Sequence, residues 1–199
     1  MLRYKGHTLM EYWRLKRIAT KVRAGIVPEG VEPEEILRAM KLTKAKNVLE
    51  ILGLTYAKVE KADGTFKDYG LVSVREVTSA FADHVVDVLH SSGEQMNDFN
   101  QHKMGSGSTA ETSTQTALVA AMSGAQDATG NAAATQPATN QYRTIGTITA
   151  STAIEVREHG IFNASTGGIM LDRSVVTNIS LNDDDVVTWT YELTVAAGG

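Results

Sequence analysis

The chain reads as an α+β protein: a small N-terminal helical module followed by a mainly antiparallel β-sandwich or Greek-key-like domain with one packed helix. Three observations predict this. Apolar residues recur at helical spacing up to Gly53, they alternate afterwards, and turns rich in Gly, Ser, Asn and Asp separate short strand-like runs in the last third. At 199 residues, 42% hydrophobic and 21% charged, the chain suits one domain or two small ones that bury a core without disulfides or metal.

Residues 8–24 form the first expected helix. Its apolar face is Leu9, Tyr12, Trp13, Ile18, Ala19 and Val22, with Gly25 where a C-terminal cap belongs. Glu32-Pro33-Glu34-Glu35 opens a second helix, because proline in the first turn gives up an N–H that has no partner and the acids meet the positive end of the dipole. Ile36, Leu37 and Met40 follow as its apolar face, and residues 43–52 offer Val48, Ile51 and Leu52 as a third helix ended by Gly53. Residues 1–53 are thus the helical module and residues 54–199 the β-rich part. In the latter, 56–60 and 65–67 flank the turn Ala62-Asp63-Gly64 as a hairpin, and 71–77 alternates like a strand. Residues 78–90 place Phe81, Val85, Val88 and Leu89 on one helical face, with Thr78 or Ser79 as the cap.

Residues 91–140 are dominated by Ser, Gly, Thr, Ala, Asn and Gln, and most of them are expected to be loop that needs a scaffold or partner to hold it. Only 116–122 is apolar enough to be a strand or short helix. Strands are then expected over 142–149, 154–158, 169–176 and 186–195. In the last, Val187, Trp189, Tyr191, Leu193 and Val195 share one face.

Composition excludes several classes. There is no cysteine, hence no disulfide scaffold, thiol catalysis or Cys-based zinc site. No apolar run has membrane-spanning length, and Met1-Leu2-Arg3-Tyr4-Lys5-Gly6-His7 lacks the apolar core of a signal peptide, so neither export nor membrane spanning is expected. The net charge of −4 hides a split: residues 1–61 carry 13 Lys and Arg against 7 Asp and Glu, and the remainder 6 against 16. Such a basic segment can dock on acidic protein as well as on phosphate. With neither a long basic run nor a binding motif, nucleic acid is the less favoured partner.

The candidate chemical motifs are weak. Gly105-Ser106-Gly107-Ser108-Thr109-Ala110 has the spacing of a dinucleotide-binding turn, but a Thr/Ser/Gln run follows it where a helix is needed. The five histidines, His7, His84, His90, His102 and His159, have no metal-binding spacing, and Asn182-Asp183-Asp184-Asp185 lacks the alternation of a Ca²⁺ loop and reads as a solvated turn. Glu155, Glu158 and Asp172 are the only carboxylates weighed as a glycan-cleaving pair, and no nucleophile is positioned around Glu158-His159. No catalytic residue, cofactor or metal is assigned.

Asp68-Tyr69-Gly70-Leu71-Val72-Ser73, Val77-Thr78 with the helix expected after it, the glycine-containing run from Gly105, Thr116-Ala117-Leu118-Val119, Tyr142-Arg143-Thr144-Ile145-Gly146-Thr147, Glu158-His159-Gly160-Ile161-Phe162, Gly167-Gly168-Ile169-Met170-Leu171-Asp172-Arg173 and Thr190-Tyr191-Glu192-Leu193-Thr194 stand in one order. Together they resemble a family of tailed-bacteriophage virion proteins over residues 65–199. The resemblance implies a non-enzymatic, β-rich component of the virion, made in the host cytoplasm. It would serve in capsid decoration or cementing, or alternatively as a tail, baseplate or fibre-attachment adaptor. The expected partners are other virion proteins, the major capsid protein before tail proteins, and further copies of the chain in a homo-oligomer. Candidate interface residues are Tyr12, Trp13, Arg14, Arg17 and Lys21 on the basic first helix, and Gly105 and Gly107 in the polar stretch.

Overall fold

A computed structural model describes residues 3–4, 7–24, 26, 28–43, 50–90, 98–122, 127–129 and 134–196. The elements in chain order are β1 (Arg3–Tyr4), β2 (His7–Thr8), α1 (Leu9–Arg23), α2 (Pro33–Thr43), β3 (Glu50–Glu60), β4 (Phe66–Glu76), α3 (Ser79–His90), β5 (Gln101–Gly105), β6 (Asp127–Thr129), β7 (Gln141–Thr149), β8 (Ile154–Phe162), β9 (Met170–Leu181) and β10 (Val186–Ala196). The fold is α+β, with two four-stranded antiparallel sheets in the orders β4-β3-β10-β7 and β6-β5-β8-β9. The edge strand β4 lies against β9, and β7 against β6, so the sheets face each other as a sandwich.

Strand alternation builds the core between them. Ala57, Val59, Ile148, Val187 and Trp189 from the first sheet pack on Met104, Val156, Val176, Ile179 and Leu181 from the second. At the other end Tyr191 and Leu193 join Ile161 and Leu171, and Phe81 and Phe99 close that end edge to face, their centroids 5.1 Å apart. Thr78 caps α3: its hydroxyl accepts from the Phe81 N–H at 3.1 Å and donates to the Met170 carbonyl at 2.5 Å, while its own N–H donates to the Leu171 carbonyl. One side chain thereby starts the helix and ties it to β9.

The outward side of β3 is also apolar. Leu52 and Leu54, with Val74 of β4, pack beneath Leu15, Ile18, Ala19 and Val22 of α1 and Ile36, Ala39 and Met40 of α2. The two helices are cross-tied at their surface by Arg14–Glu35 and Arg38–Glu11, 2.9 and 2.8 Å. Exposed pairs of this kind contribute about 1 kcal/mol or less, so the apolar seam is what holds the helices.

Several expectations are corrected. Thr43 closes α2, and the described end of the expected third helix, residues 50–52, opens β3; residues 44–49, with Val48, lie outside the described residues, as does Gly25. Ile51 and Leu52 fit a strand because alternation continues through Leu54 and β10 pairs with every residue from 50 to 60. The expected boundary at Gly53 therefore falls inside a strand with neighbours on both sides. The strands expected at 65–67 and 71–77 are a single strand, β4, carried through an irregularity where Gly70 adopts φ +62°. The apolar residues in 116–122 form no regular element beyond one bridge, Gly105 to Ala121.

A chain beginning at residue 50 keeps all of β3 but bares Leu52, Leu54 and Val74. It is expected to retain the β signal in circular dichroism while binding a hydrophobic dye and self-associating, and a dye-negative monomer would show that the helical cover is dispensable.

Candidate interaction surface

α1 turns its buried stripe, Leu15, Ile18, Ala19 and Val22, onto the sheet, which leaves the opposite stripe in water. Met10, Arg14, Arg17 and Lys21 recur there at helical spacing with Trp13 beside them. The sequence assigned Trp13 to the core-facing side, but it is 57% exposed and Met10 82%, whereas Tyr12 is half-buried and meets the Trp13 ring edge to face at 5.6 Å. Two arcs of apolar residues compete on this helix, and the aliphatic one wins because its side chains lie over Leu52 and Leu54. Lys16 places its ammonium 5.0 Å from the Trp13 ring centre. Arg14 is taken up by Glu35, while Arg17 and Lys21 have no ion pair among the described residues. A groove of about 640 Å³ runs along this stripe, walled by Met10, Trp13, Arg17, Lys21, Pro28 and Glu29.

Gly105 and Gly107 are not on the surface. Both are buried on the outward face of the second sheet, where a Cβ on Gly107 would come within 2.6 Å of the Glu158 carboxylate. Oε1 of Glu158 accepts the N–H groups of Gly107 at 3.1 Å and Ala120 at 2.7 Å, and Oε2 accepts that of Val119 at 3.0 Å and Nε of Arg173 at 2.7 Å. Arg173 reaches outward with Nη1 to the Thr109 carbonyl and the Gln115 amide oxygen, 3.0 and 3.1 Å. Burial pushes the Glu158 carboxyl up, but the Ala120 and Val119 amides and the Arg173 guanidinium outweigh it and hold the group below the usual carboxylate range. A second tie runs from Glu111 to Arg75, 2.8 Å from Nε, and to the Val175 amide. The polar stretch from 105 to 122 is thus strapped across the sheet by two carboxylates, one of its own and one from β8, with Ser106, Ser108 and residues 112–114 left exposed as its crest.

Comparison with protein-family models, curated proteins and solved structures finds no match.

The interior holds a second set of polar groups, which local spacing could not reveal. His102 of β5 and His159 of β8 meet through Nδ1 and Nε2 at 3.1 Å, His102 Nε2 lies 3.3 Å from the Thr144 hydroxyl, and His159 stacks on Trp189 with centroids 4.4 Å apart. Burial pushes His102 down to about 3, and burial together with His102 holds His159 well below its ordinary value, so both rings are neutral. Asp172 faces inward from β9 and meets the Tyr191 hydroxyl above Gly53, where a Cβ would collide with both. Neither Asp172 oxygen has a well-formed hydrogen bond among the described residues, and burial pushes its carboxyl up to about 7. Asp185, expected in a solvated turn, is buried instead. It accepts from Lys61 at 2.7 Å and from the amides of Ala62 and Asn182 at 2.9 and 2.7 Å, tying the two hairpin ends together.

The three carboxylates weighed for glycan chemistry stand in three environments. Glu155 is exposed beside Asn178 and Ser180, Glu158 is locked beneath the strap, and Asp172 is inside the sandwich. Among the described residues no three His, Asp or Glu side chains are arranged to hold a metal, and no helix is long and apolar enough to cross a membrane.

Two outcomes test these clusters. Glu158→Gln is expected to raise amide exchange at Gly107, Val119 and Ala120 and to cost about 3–5 kcal/mol, since it leaves the Arg173 charge buried without a counter-ion. Exchange unchanged at those amides would show that the strap is held by something else. Asp172 has a raised folded-state pKa, so its contribution to stability is present below 3.8 and is lost as pH rises through about 7; the histidines act oppositely, costing stability as pH falls below 6.5. Asp172→Asn should therefore gain on the native chain progressively from pH 4 to 7, approaching about 4 kcal/mol, and the gain should level off above pH 8. Urea midpoints across that range measure it, and a difference independent of pH would refute it.

Proposed function

We propose that this chain is a non-enzymatic structural protein of a tailed-phage particle, capsid-associated as a decoration or cement protein. The observation that carries the reading is the strap: residues 105–122, too polar to order themselves, are fixed on the outer face of a sandwich by Glu158, Arg173, Glu111 and Arg75. A long, shallow crest of hydroxyl and amide groups is a surface for many weak contacts, whose strength comes from repetition on a symmetric shell.

Four of the segments that resemble virion proteins support the same reading, because they meet at this feature. The run from Gly105 and the run Thr116-Ala117-Leu118-Val119 lie in the strap, and Glu158 and Arg173, from two further segments, are its anchor. Their resemblance therefore has a physical content: each piece is required by the others, since the glycines admit the carboxylate and the carboxylate collects their amides. Glu158 and Arg173 are occupied in holding the strap, and His102 and His159 are paired with each other inside the sandwich.

Quantitative mass spectrometry of purified particles tests the proposal. Hundreds of copies per particle, in a fixed ratio to the major shell protein, are expected. Three, six or twelve copies would move the protein to the tail, baseplate or fibre attachment, and absence from washed particles would overturn the structural role.

A further inference from the structure

α3 also leaves large apolar side chains in water. Its buried face holds Phe81 and His84, with Val85 and Val88 half-buried, but Leu89, expected on that face, is 83% exposed and Val86 62%. Ala82, Val86 and Leu89 fall at i, i+4 and i+7 and form one stripe, flanked on one side by Asp83 and Asp87. Neither aspartate has an ion pair among the described residues.

The two exposed helix faces are counterparts. α1 offers Met10 and Trp13 beside Arg17 and Lys21, and α3 offers Val86 and Leu89 beside Asp83 and Asp87, all four charges without an ion pair among the described residues. Their lengths match, 15 and 12 residues, or about 22 and 18 Å of helix. We infer that copies of this chain associate head to tail, the acidic apolar face of α3 on one copy seating in the basic apolar groove of α1 on the next.

The physical chemistry favours this occupant on two grounds. Large apolar side chains scattered singly on a surface need no partner, but two stripes that each join apolar groups to uncompensated charge, of opposite sign, satisfy each other on contact. The groove beside Trp13 gives Leu89 and Val86 somewhere to leave water, and Arg17 and Lys21 come opposite Asp83 and Asp87; Glu29 is the one acid among the described residues that line the groove. Because the two faces differ, the contact is heterologous, and every copy keeps one free face of each kind until a ring or lattice closes. A single helix-on-helix contact is well below the roughly 800 Å² per partner of a stable pair, so association in solution is weak and becomes firm only when contacts are repeated. The inference deepens the particle-component reading but is measured on the isolated protein, so its failure leaves the copy-number test untouched, and the reverse.

Sedimentation equilibrium of the full chain at about 0.05 M salt provides the test. The native chain is expected to show concentration-dependent association that weakens at about 0.5 M, where the Debye length falls to about 4 Å. Reversing one face, as Arg17→Glu with Lys21→Glu or as Asp83→Lys with Asp87→Lys, should weaken association about tenfold or more. The chain carrying all four changes restores opposite charges across the contact and should recover it, as should an equimolar mixture of the chain reversed on α1 and the chain reversed on α3, which would alternate along the assembly. A native chain that stays monomeric at about 0.5 mM, or a four-fold variant that recovers nothing, overturns the inference. So does association insensitive to both reversals. A monomer whose α1 binds an acidic peptide or duplex DNA through Arg17 and Lys21 would assign the groove to a foreign partner.

Discussion

The ion pair between Glu158 and Arg173 is what the outer half of this structure depends on. Two charges taken out of water cost several kcal/mol each, and their mutual attraction repays that only when the remaining hydrogen-bonding capacity is filled. Much of it is filled from outside the sheet: amides of Gly107, Val119 and Ala120 complete the carboxylate, and the Thr109 carbonyl and Gln115 amide oxygen accept from Nη1 of the guanidinium, while Nη2 stands 2.7 Å from Glu158 Oε2. The pair and the strap are therefore mutually required. Removing the strap would leave a bare buried pair, and removing the pair would leave the polar segment with Glu111 as its remaining carboxylate tie. The strand register is bound into the same arrangement, since β8 must present Glu158 outward and His159 inward, and a slip of one residue would exchange them.

Inside the sandwich the same economy applies with less complete success. Apolar clusters occupy both ends of the space between the sheets, and the middle is polar, with His102, His159, Thr144, Thr55, Ser174 and Asp172 all buried. The histidines satisfy each other and Thr144, and Thr55 and Ser174 meet across the sheets at 3.2 Å. Asp172 is the exception: its neutralisation by burial near pH 7 is the cheaper outcome when no partner of good geometry is within reach. The paired polar groups add little net stability, but they meet only in one alignment of the sheets, so they discriminate against neighbouring registers.

Periodicity made the helices and most strands legible. The alternation of Val187, Trp189, Tyr191 and Leu193 gave the inward face of β10, and Pro33 with its acids gave the start of α2, because both signals are local. What could not be read depends on which segments pair. Residues 50–52 look helical until β10 is known to run beside them, and Trp13 looks buried until Leu52 and Leu54 are seen to lie under the other side of α1. Gly105 and Gly107 read as interface residues of a polar loop, yet they are glycines because the Glu158 carboxylate, 51 residues beyond Gly107, needs the room at both and the amide of the second. The two histidines are 57 residues apart in sequence and could be joined only once β5 was known to pair with β8. Charge, by contrast, was legible as a division between segments, though not that its unpaired members would face outward on two different helices.

That last placement follows from how the sheets are covered. Each sheet has an outer face to protect: α1 and α2 take the first through an apolar seam, and the strap takes the second through polar ties. A helix can bury only one stripe against a sheet, so whatever stands opposite is left in water. In α1 that stripe holds Met10 and Trp13, and in α3, docked by its Phe81 side, it holds Val86 and Leu89. Of the other large apolar groups in water among the described residues, Phe66 has Lys58 over its ring at 4.5 Å, Ile145 sits on the edge strand β7, Ile26 lies past the end of α1 and Val119 lies in the strap, so none builds a continuous stripe. The sandwich needs none of these exposed helix residues for its own core. The same covering that completes the fold leaves two helical surfaces of opposite charge with apolar area still to bury, and a surface of that kind is completed by something outside the chain.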